Sequence, residues 1–222
     1  EIMQYTAIIP VKQNSGRLPG KNLLTLGNES LLERKIRQLQ ISGIADRIIV
    51  SSDSDEMLRL GLKMGVDAIK RPKHYADESR SLSEFFKYVV DLFDEQHMIW
   101  ACVTSPFFDE NLMQEAKSIY EKNIGIEIDS LLTVYRFKHY LFDENGPLNF
   151  EVGERHQNSQ QLESIDLFTN GMLIAPKESV RQWGYNYGPN HYRFYVNQIQ
   201  SLDIDTEEDY VVAKAYQSLL EK

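Results

Sequence analysis

The chain has 222 residues, 42% of them apolar, and a net charge of −9. That apolar content excludes disorder, the acidic balance argues against non-specific nucleic-acid binding, and no apolar run approaches the length of a membrane-spanning helix. A single cysteine, Cys102, precludes an internal disulfide, and residues 1–4 lack the basic and apolar regions of a signal peptide, so the expectation is a cytoplasmic protein.

Strands and helices alternate along the chain. A short apolar strand over 6–9 ends at Pro10, which cannot continue a backbone hydrogen-bond ladder. A loop runs through Asn22, and Ser30 with Glu33 then forms a capping-box pattern. Leu31, Leu32, Ile36 and Leu39 make one helical apolar face, which Ser42-Gly43 stops. Residues 47–51 read as a strand buried on both faces. Asp53 is placed to cap the next helix, with Glu56 three residues on and Met57, Leu60 and Met64 at helical spacing. A strand follows over 66–69, then a loop over 71–77. Ser81 with Glu84 opens a helix to about residue 93. A strand over 97–103, a helix over 109–122 and a strand over 130–135 follow. Residues 136–170 show no period, and so long a stretch is either functional or disordered. Strands over 171–175 and 198–202 and a helix from about 206 close the chain. The rhythm predicts a mainly parallel sheet with helices on both faces, a three-layer α/β/α arrangement in one domain over 1–222.

Two stretches carry chemistry. The loop after Pro10 holds Lys12, Arg17 and Lys21 together with Gly16 and Gly20, against an acidic background. Glycines let backbone N–H groups approach an anion, and the cations supply charge. A strand ending in such a loop suits a phosphate cradle. It is not a Walker A loop, which needs four residues between its glycines and then Lys-Ser/Thr. Gly16 and Gly20 have three residues between them, Asn22 follows Lys21, and no G-x-G-x-x-G is present. The alternative is an exposed turn with ordinary surface lysines. The second stretch is Asp203-Ile204-Asp205. Residues two apart in an extended segment share a side, so both carboxylates can meet a hard cation such as Mg²⁺. The alternative has Asp205 or Thr206 merely capping the last helix.

Taken together and in this order, these stretches resemble the nucleotide-activating sugar cytidylyltransferases, the acylneuraminate or nonulosonate (CMP-sialic acid) and CMP-Kdo synthetases. Leu18-Pro19-Gly20-Lys21-Asn22 is similar to that family's N-terminal signature, and Asp203-Ile204-Asp205-Thr206 to its stretch before the last helix. Arg71-Pro72, Ala76-Asp77 and Ser81 resemble the segment that approaches the cytidine. Thr104-Ser105-Pro106 resembles the turn after the central strand, and Asn170-Gly171 a pair near the sugar. There are departures. Lys12 stands where relatives usually carry arginine, which keeps charge but loses bidentate geometry. Cys102-Val103 replace a Gln-Pro, and Gln160-Gln161-Leu162 is the nearest match to the sugar-site Arg-Gln element, with Arg155 a candidate substitute.

The resemblance implies a nucleotide-diphospho-sugar transferase-like, Rossmann-like fold. It implies a cytidylyltransferase that activates an acidic 2-keto sugar of nine or eight carbons with CTP, giving CMP-sugar and pyrophosphate. Pro10, Lys12, Ser15, Arg17, Lys21, Asn22, Arg71 and Ser81 would hold the nucleotide. Thr104, Ser105, Arg155, Gln161 and Asn170 would face the sugar. Asp203 and Asp205 would hold Mg²⁺ and, with Lys21, form the catalytic set. A homodimer is implied, with neither nucleic acid nor membrane as partner. Two other classes fit parts of the pattern. One is an Asp-x-Asp metal-dependent glycosyltransferase, in which the pair usually sits mid-chain. The other is a non-catalytic nucleotide-binding protein. Cys102, in an apolar strand, reads as a packed residue, and the five histidines show no metal-ligand spacing.

Overall fold

The computed structural model describes residues 2–77 and 79–222. Strand β1 (Tyr5–Pro10) leads into a loop and a single 3-10 turn (Lys21–Leu23). A small ribbon, β2 (Thr25–Leu26) with β3 (Glu29–Ser30), turns the chain into α1 (Leu31–Ser42). Then come β4 (Arg47–Ser52), α2 (Asp55–Lys63), β5 (Asp67–Lys70), the one-turn α3 (Lys73–Ala76), α4 (Leu82–Val90), β6 (His97–Trp100), α5 (Glu110–Asn123) and β7 (Ser130–Phe137). A second ribbon, β8 (Phe142–Asp143) with β9 (Gly146–Pro147), and two 3-10 turns precede β10 (Ile165–Pro176). The chain ends with α6 (Lys177–Trp183), β11 (His191–Val196) and α7 (Glu207–Leu220).

Seven strands form the central sheet in the order β11-β7-β10-β6-β1-β4-β5. β1 pairs in parallel with β4 and β6, β4 with β5, and β11 with β7. Only β10 runs against its neighbours among the described strands of this sheet. Period-2 alternation divides the strands between two cores. Ala7, Ile9, Ile99, Leu131 and Ile174 pack under α1 and α5, while Ile8, Met98, Trp100, Leu132 and Leu173 pack under α4 and α6. Helices on both faces make the three layers the rhythm predicts. The order reverses beside β1, since β4 and β5 lie to one side and β6 to the other. In open α/β sheets, ligand crevices form at that point, outside the carboxyl ends of the strands.

Local signals hold at most helix starts. The Ser30 and Glu33 capping box forms on α1, with Glu33 N–H to Ser30 Oγ at 3.1 Å and Ser30 N–H to Glu33 Oε2 at 2.7 Å. The Ser81–Glu84 box forms on α4. Elsewhere the elements shift. Ser54, not Asp53, caps α2, because the helix starts one residue later and Asp53 Oδ1 instead accepts from Gln13 N–H at 2.8 Å. α4 stops at Val90 and β6 at Trp100, and the loop after Arg71 contains α3. β10 begins at Ile165, inside the segment without a period, because its outer half pairs antiparallel with β7 up to Phe137. The last strand is His191–Val196, not 198–202. Asn197 and Gln200 exchange backbone-to-side-chain hydrogen bonds, both at 2.9 Å, and close residues 197–202 into a turn.

Candidate functional site

At the carboxyl end of β1, the loop is pinned from several sides. Val11 N–H donates to the Ser51 carbonyl at 3.0 Å. Asn22, which is buried, donates from Nδ2 to the Lys12 carbonyl at 2.9 Å and so ties the end of the loop to its start. Gly20, at φ 66°, sits in the left-handed region that favours glycine and swings the chain into the 3-10 turn carrying Lys21. Ser15 Oγ is buried and has no hydrogen-bond partner among the described residues.

The end of the chain meets this loop. Lys21 Nζ lies 2.8 Å from Asp205 Oδ1, and Arg17 Nη2 lies 2.9 Å from Asp205 Oδ2. Asp205 therefore does not face Asp203 across bare repulsion; two cations of the loop neutralise it. Thr206 caps α7, with Asp209 completing its capping box, so the Asp205 side chain is not the helix cap. Ile204 is fully buried, and its N–H donates to the Thr104 carbonyl at 2.8 Å. That bond sets Asp203 and Asp205 on either side of a core anchor. Asp203 Oδ2 accepts from Asn170 Nδ2 at 3.0 Å, whereas Asp203 Oδ1 is buried without a hydrogen-bond partner among the described residues. An unpartnered buried carboxylate oxygen is costly, and a hard cation is one species that can satisfy it. Among the described residues no group of three His, Cys, Asp or Glu is poised to hold a metal. The unpartnered Asp203 Oδ1 suits a cation that keeps waters or ligand oxygens in its other positions, while both oxygens of Asp205 are held by Lys21 and Arg17.

Two adjoining cavities share Pro10 and Lys12. The first, about 340 Å³, is lined by Ser15, Arg17, Lys21, Asn22, Cys102, Thr104 and Asp205 among others. Burial, and after it the charge of Asp203, pushes the Cys102 thiol up to about 12. The thiol stays protonated at neutral pH, which suits a packed residue and not a nucleophile. The second cavity, about 450 Å³, is lined by Arg71, Tyr75, Arg80, Ser81, Leu82 and Phe85 beside the shared pair. Arg71 is buried there, with Nη2 donating to the Ser51 carbonyl at 3.1 Å and its guanidinium 4.7 Å from the Phe85 ring centre. Burial lowers its pKa, and its Nε lacks a hydrogen-bond partner among the described residues.

The structure thus gathers Pro10, Lys12, Ser15, Arg17, Lys21, Asn22, Arg71, Ser81, Thr104 and Asp205 around one groove, with Asp203 and Asn170 beside it. Ser105 is not among them. It is buried, and its carbonyl accepts from Lys35 Nζ at 3.0 Å. Arg155 and Gln161 are not brought there either. Arg155 pairs loosely with Glu151 at 3.6 Å and is 84% exposed. Gln161 folds back on Asn158, accepting its N–H at 3.2 Å. Sequence reasoning left Tyr75 in a loop and Leu82 and Phe85 in the apolar pattern of α4, so none was singled out as lining a cavity. It missed Lys35 too, although that residue sits four positions from both Leu31 and Leu39 on the apolar stripe of α1.

Residues 6–166 match the protein-family model described as Cytidylyltransferase. The chain is 25% identical over 224 residues to the pseudaminic acid cytidylyltransferase of Campylobacter jejuni serotype O:23/36, covering 96% of this chain and 95% of that protein. It is 24% identical over 218 residues to the N-acylneuraminate cytidylyltransferase of Streptococcus agalactiae serotype V, covering 94% of this chain but 52% of that longer protein. Among solved structures, a CMP:2-keto-3-deoxy-manno-octonic acid synthetase complexed with CTP superposes with a TM-score of 0.68 at 15% identity, over 98% of this chain and 99% of that one. This last likeness is one of fold.

Proposed function

The chain is a nucleotidyltransferase of the cytidylyltransferase family, and from that premise we propose that it transfers CMP from CTP to an acidic 2-keto sugar and releases pyrophosphate. The observation that carries the reading is the junction of Lys21, Arg17 and Asp205 beside the unpartnered Asp203 oxygen. A site with cations, a hard-cation carboxylate pair and an adjoining aromatic cavity suits a nucleoside triphosphate. The relatives named for pseudaminic and N-acylneuraminic acids support a nonulosonic acid over a Kdo-type sugar.

In this reading Phe85 and Arg71 border the cytosine and its ribose. Lys12, Arg17 and Lys21 bind the triphosphate, and the loop N–H groups between them complete the cradle. Triphosphate oxygens would take the place of Asp205 on Lys21 and Arg17, which frees the Asp205 carboxylate. Asp203 and Asp205 would then be the residues to hold Mg²⁺, which when bound would supply charge neutralisation. Phosphoryl-type transfer depends on such alignment and charge more than on covalent help. Thr104 and Asn170, at the far side of the carboxylates, border the sugar.

The protein acts as a homodimer. Exposed Phe168 and Tyr195, which pair with Val134 from either side of β7 and so share a face, support this, since exposed apolar patches mark association surfaces. Sedimentation that gives only monomer at micromolar concentration would reject it. The activity is tested by pyrophosphate release with CTP and Mg²⁺ across N-acetylneuraminic, legionaminic, pseudaminic and Kdo-type acids. Release with one nonulosonic acid is expected. Transfer from a nucleotide sugar with release of nucleoside diphosphate, and no pyrophosphate, would replace the reading with a glycosyltransferase.

A further inference from the structure

Lys35 is a charged side chain in the middle of an apolar helix face. It lies on α1 between Leu31 and Leu39 and is fully buried. Burial pushes its pKa down to about 7, and a group so placed needs hydrogen-bonding partners. Its Nζ donates to the carbonyls of Ser105, at 3.0 Å, and Phe108, at 3.2 Å. Nearly one turn along α1, Gln38 Nε2 donates to the Pro106 carbonyl at 2.9 Å. Three carbonyls of the turn 105–108 are therefore held from one helix. The turn's own backbone bonds are long, Ser105 N–H to Cys102 and Phe108 N–H to Ser105, both at 3.4 Å, near the limit for a useful hydrogen bond. The far end of the turn is wedged as well. A Cβ on Gly171 would lie 2.9 Å from the Phe108 ring, so β10 packs directly against it.

Thr104 opens this turn, and its carbonyl is the acceptor for Ile204 N–H. We propose that Lys35 is a positioning residue, which fixes the turn 104–108 from behind and through Thr104 sets the backbone that presents Asp203 and Asp205 to the groove. A lysine suits the task because its head group offers several donors and meets two carbonyls of the turn. An apolar side chain of similar length would fill the volume, take the donor from the Phe108 carbonyl and leave the Ser105 carbonyl with only the long bond from Phe108 N–H. The catalytic consequence rests on the reading of Asp203 and Asp205 given above; the structural one does not.

The test is Lys35→Met, read by amide exchange at Ile204. Methionine keeps length and apolar bulk, so the melting temperature should stay within a few degrees at neutral pH. Exchange at Ile204 should accelerate about tenfold or more, while buried Ala213 on α7 keeps its protection. In the pyrophosphate assay the Mg²⁺ concentration for half-maximal rate should rise several-fold, with KM for CTP little changed. A merely structural lysine would alter global stability and leave that split unmoved. Unchanged exchange at Ile204 in a folded Lys35→Met overturns the proposal. Should that variant fail to fold, Gln38→Leu removes one hold on the same turn. It should speed exchange at the same amide by a smaller factor, and unchanged exchange there overturns the coupling the proposal needs. Faster exchange at Ile204 in a protein whose wild type releases no pyrophosphate supports the positioning role and rejects the enzymatic reading instead.

Discussion

The groove and the segment over residues 138–164 are built differently. The groove is assembled from short segments that follow strand ends directly: the loop after β1, Arg71 just beyond β5, and Thr104 shortly after β6. The sheet fixes where each of these begins, so a few residues of loop suffice to place Lys21 against Asp205, 184 positions away in the chain. Residues 138–164 line neither cavity and fold on themselves. Tyr140 stacks on His156 with ring centres 5.1 Å apart and donates from its hydroxyl to the Gln157 carbonyl, and Lys138 Nζ reaches the Gln160 carbonyl. Leu162 is the buried residue of this segment. A site side chain is well placed when the backbone under it belongs to the sheet, and poorly placed when it rides on a segment with its own small core.

The largest effect that contrast predicts is in the groove. Asp203→Asn and Asp205→Asn should each lower pyrophosphate release by at least about 100-fold, since losing the cation's ligand removes both charge neutralisation and orientation. Stability should barely change. Asparagine at 203 keeps the shape that meets Asn170, and the Asp205 pairs are partly exposed, so they contribute under about 1 kcal/mol. Turnover and melting temperature measured on both variants check this. Intact turnover with lost stability would reduce the pair to a structural feature. Next in size is Lys21→Ala. A charge-assisted contact contributes about 1.5–3 kcal/mol, so the CTP dissociation constant should rise roughly 10- to 150-fold. Calorimetric titration that finds unchanged affinity would put Lys21 outside the phosphate site.

How much of this was legible in the sequence follows the same division. Capping boxes at Ser30 and Ser81 and the apolar strands were readable because both are local rules. So were the two stretches that meet in the groove, where glycine, lysine and aspartate stand in a chemically suggestive order. The last strand was misread because 198–202 has strand-like composition, and only the reciprocal bonds of Asn197 and Gln200 turn it. The outer half of β10 was hidden because Ile165, Leu167 and Phe168 are exposed, so neither strand face reads as a clean apolar row. Lys35 was hidden by its charge. A lysine on a helix reads as solvent-facing, and only its contacts with the turn 105–108 explain why it is not.

That buried lysine gives a smaller and pH-dependent effect. Its pKa falls from 10.5 in the unfolded chain to about 7 when folded. Below pH 7 both states carry the proton, and the cost of burying the charge is fully present. Between about pH 7 and 10 the unfolded chain binds more protons than the folded one, so stability gained from this group rises with pH. The groups that bear on its charge are Cys102, Arg34, Asp109 and Glu110. Lys35→Met removes the titration. The difference in unfolding free energy, variant minus wild type, measured by denaturant titration at each pH, should therefore be most positive below pH 7 and fall as pH rises towards 10, over a span on the order of a few kcal/mol. A difference that stays flat with pH would mean Lys35 keeps its proton in the fold.

The smallest expected effect tests the comparison itself. Arg155→Ala and Gln161→Ala alter side chains that are exposed and lie away from the groove of their own subunit. Arg155 meets Glu151 at 3.6 Å, an exposed pair of the kind whose loss changes stability by a few tenths of a kcal/mol. Gln161 accepts one hydrogen bond at 3.2 Å, within its own 3-10 turn. Neither change reaches Lys21, Asp203 or the aromatic cavity, so CTP affinity should stay within about twofold of wild type, since a shift of 0.4 kcal/mol is about that factor. KM for the acidic sugar should move as little. A sugar KM raised tenfold or more with CTP affinity unchanged would break the contrast in an informative way. It would mean that residues 138–164 complete a groove other than the one beside them. The geometry leaves a second copy of the chain as the place for it. Mixing Arg155→Ala with Lys21→Ala would then decide the matter. If the segment serves its neighbour, a mixed dimer regains one intact site and part of the activity; if it serves its own subunit, mixing restores nothing.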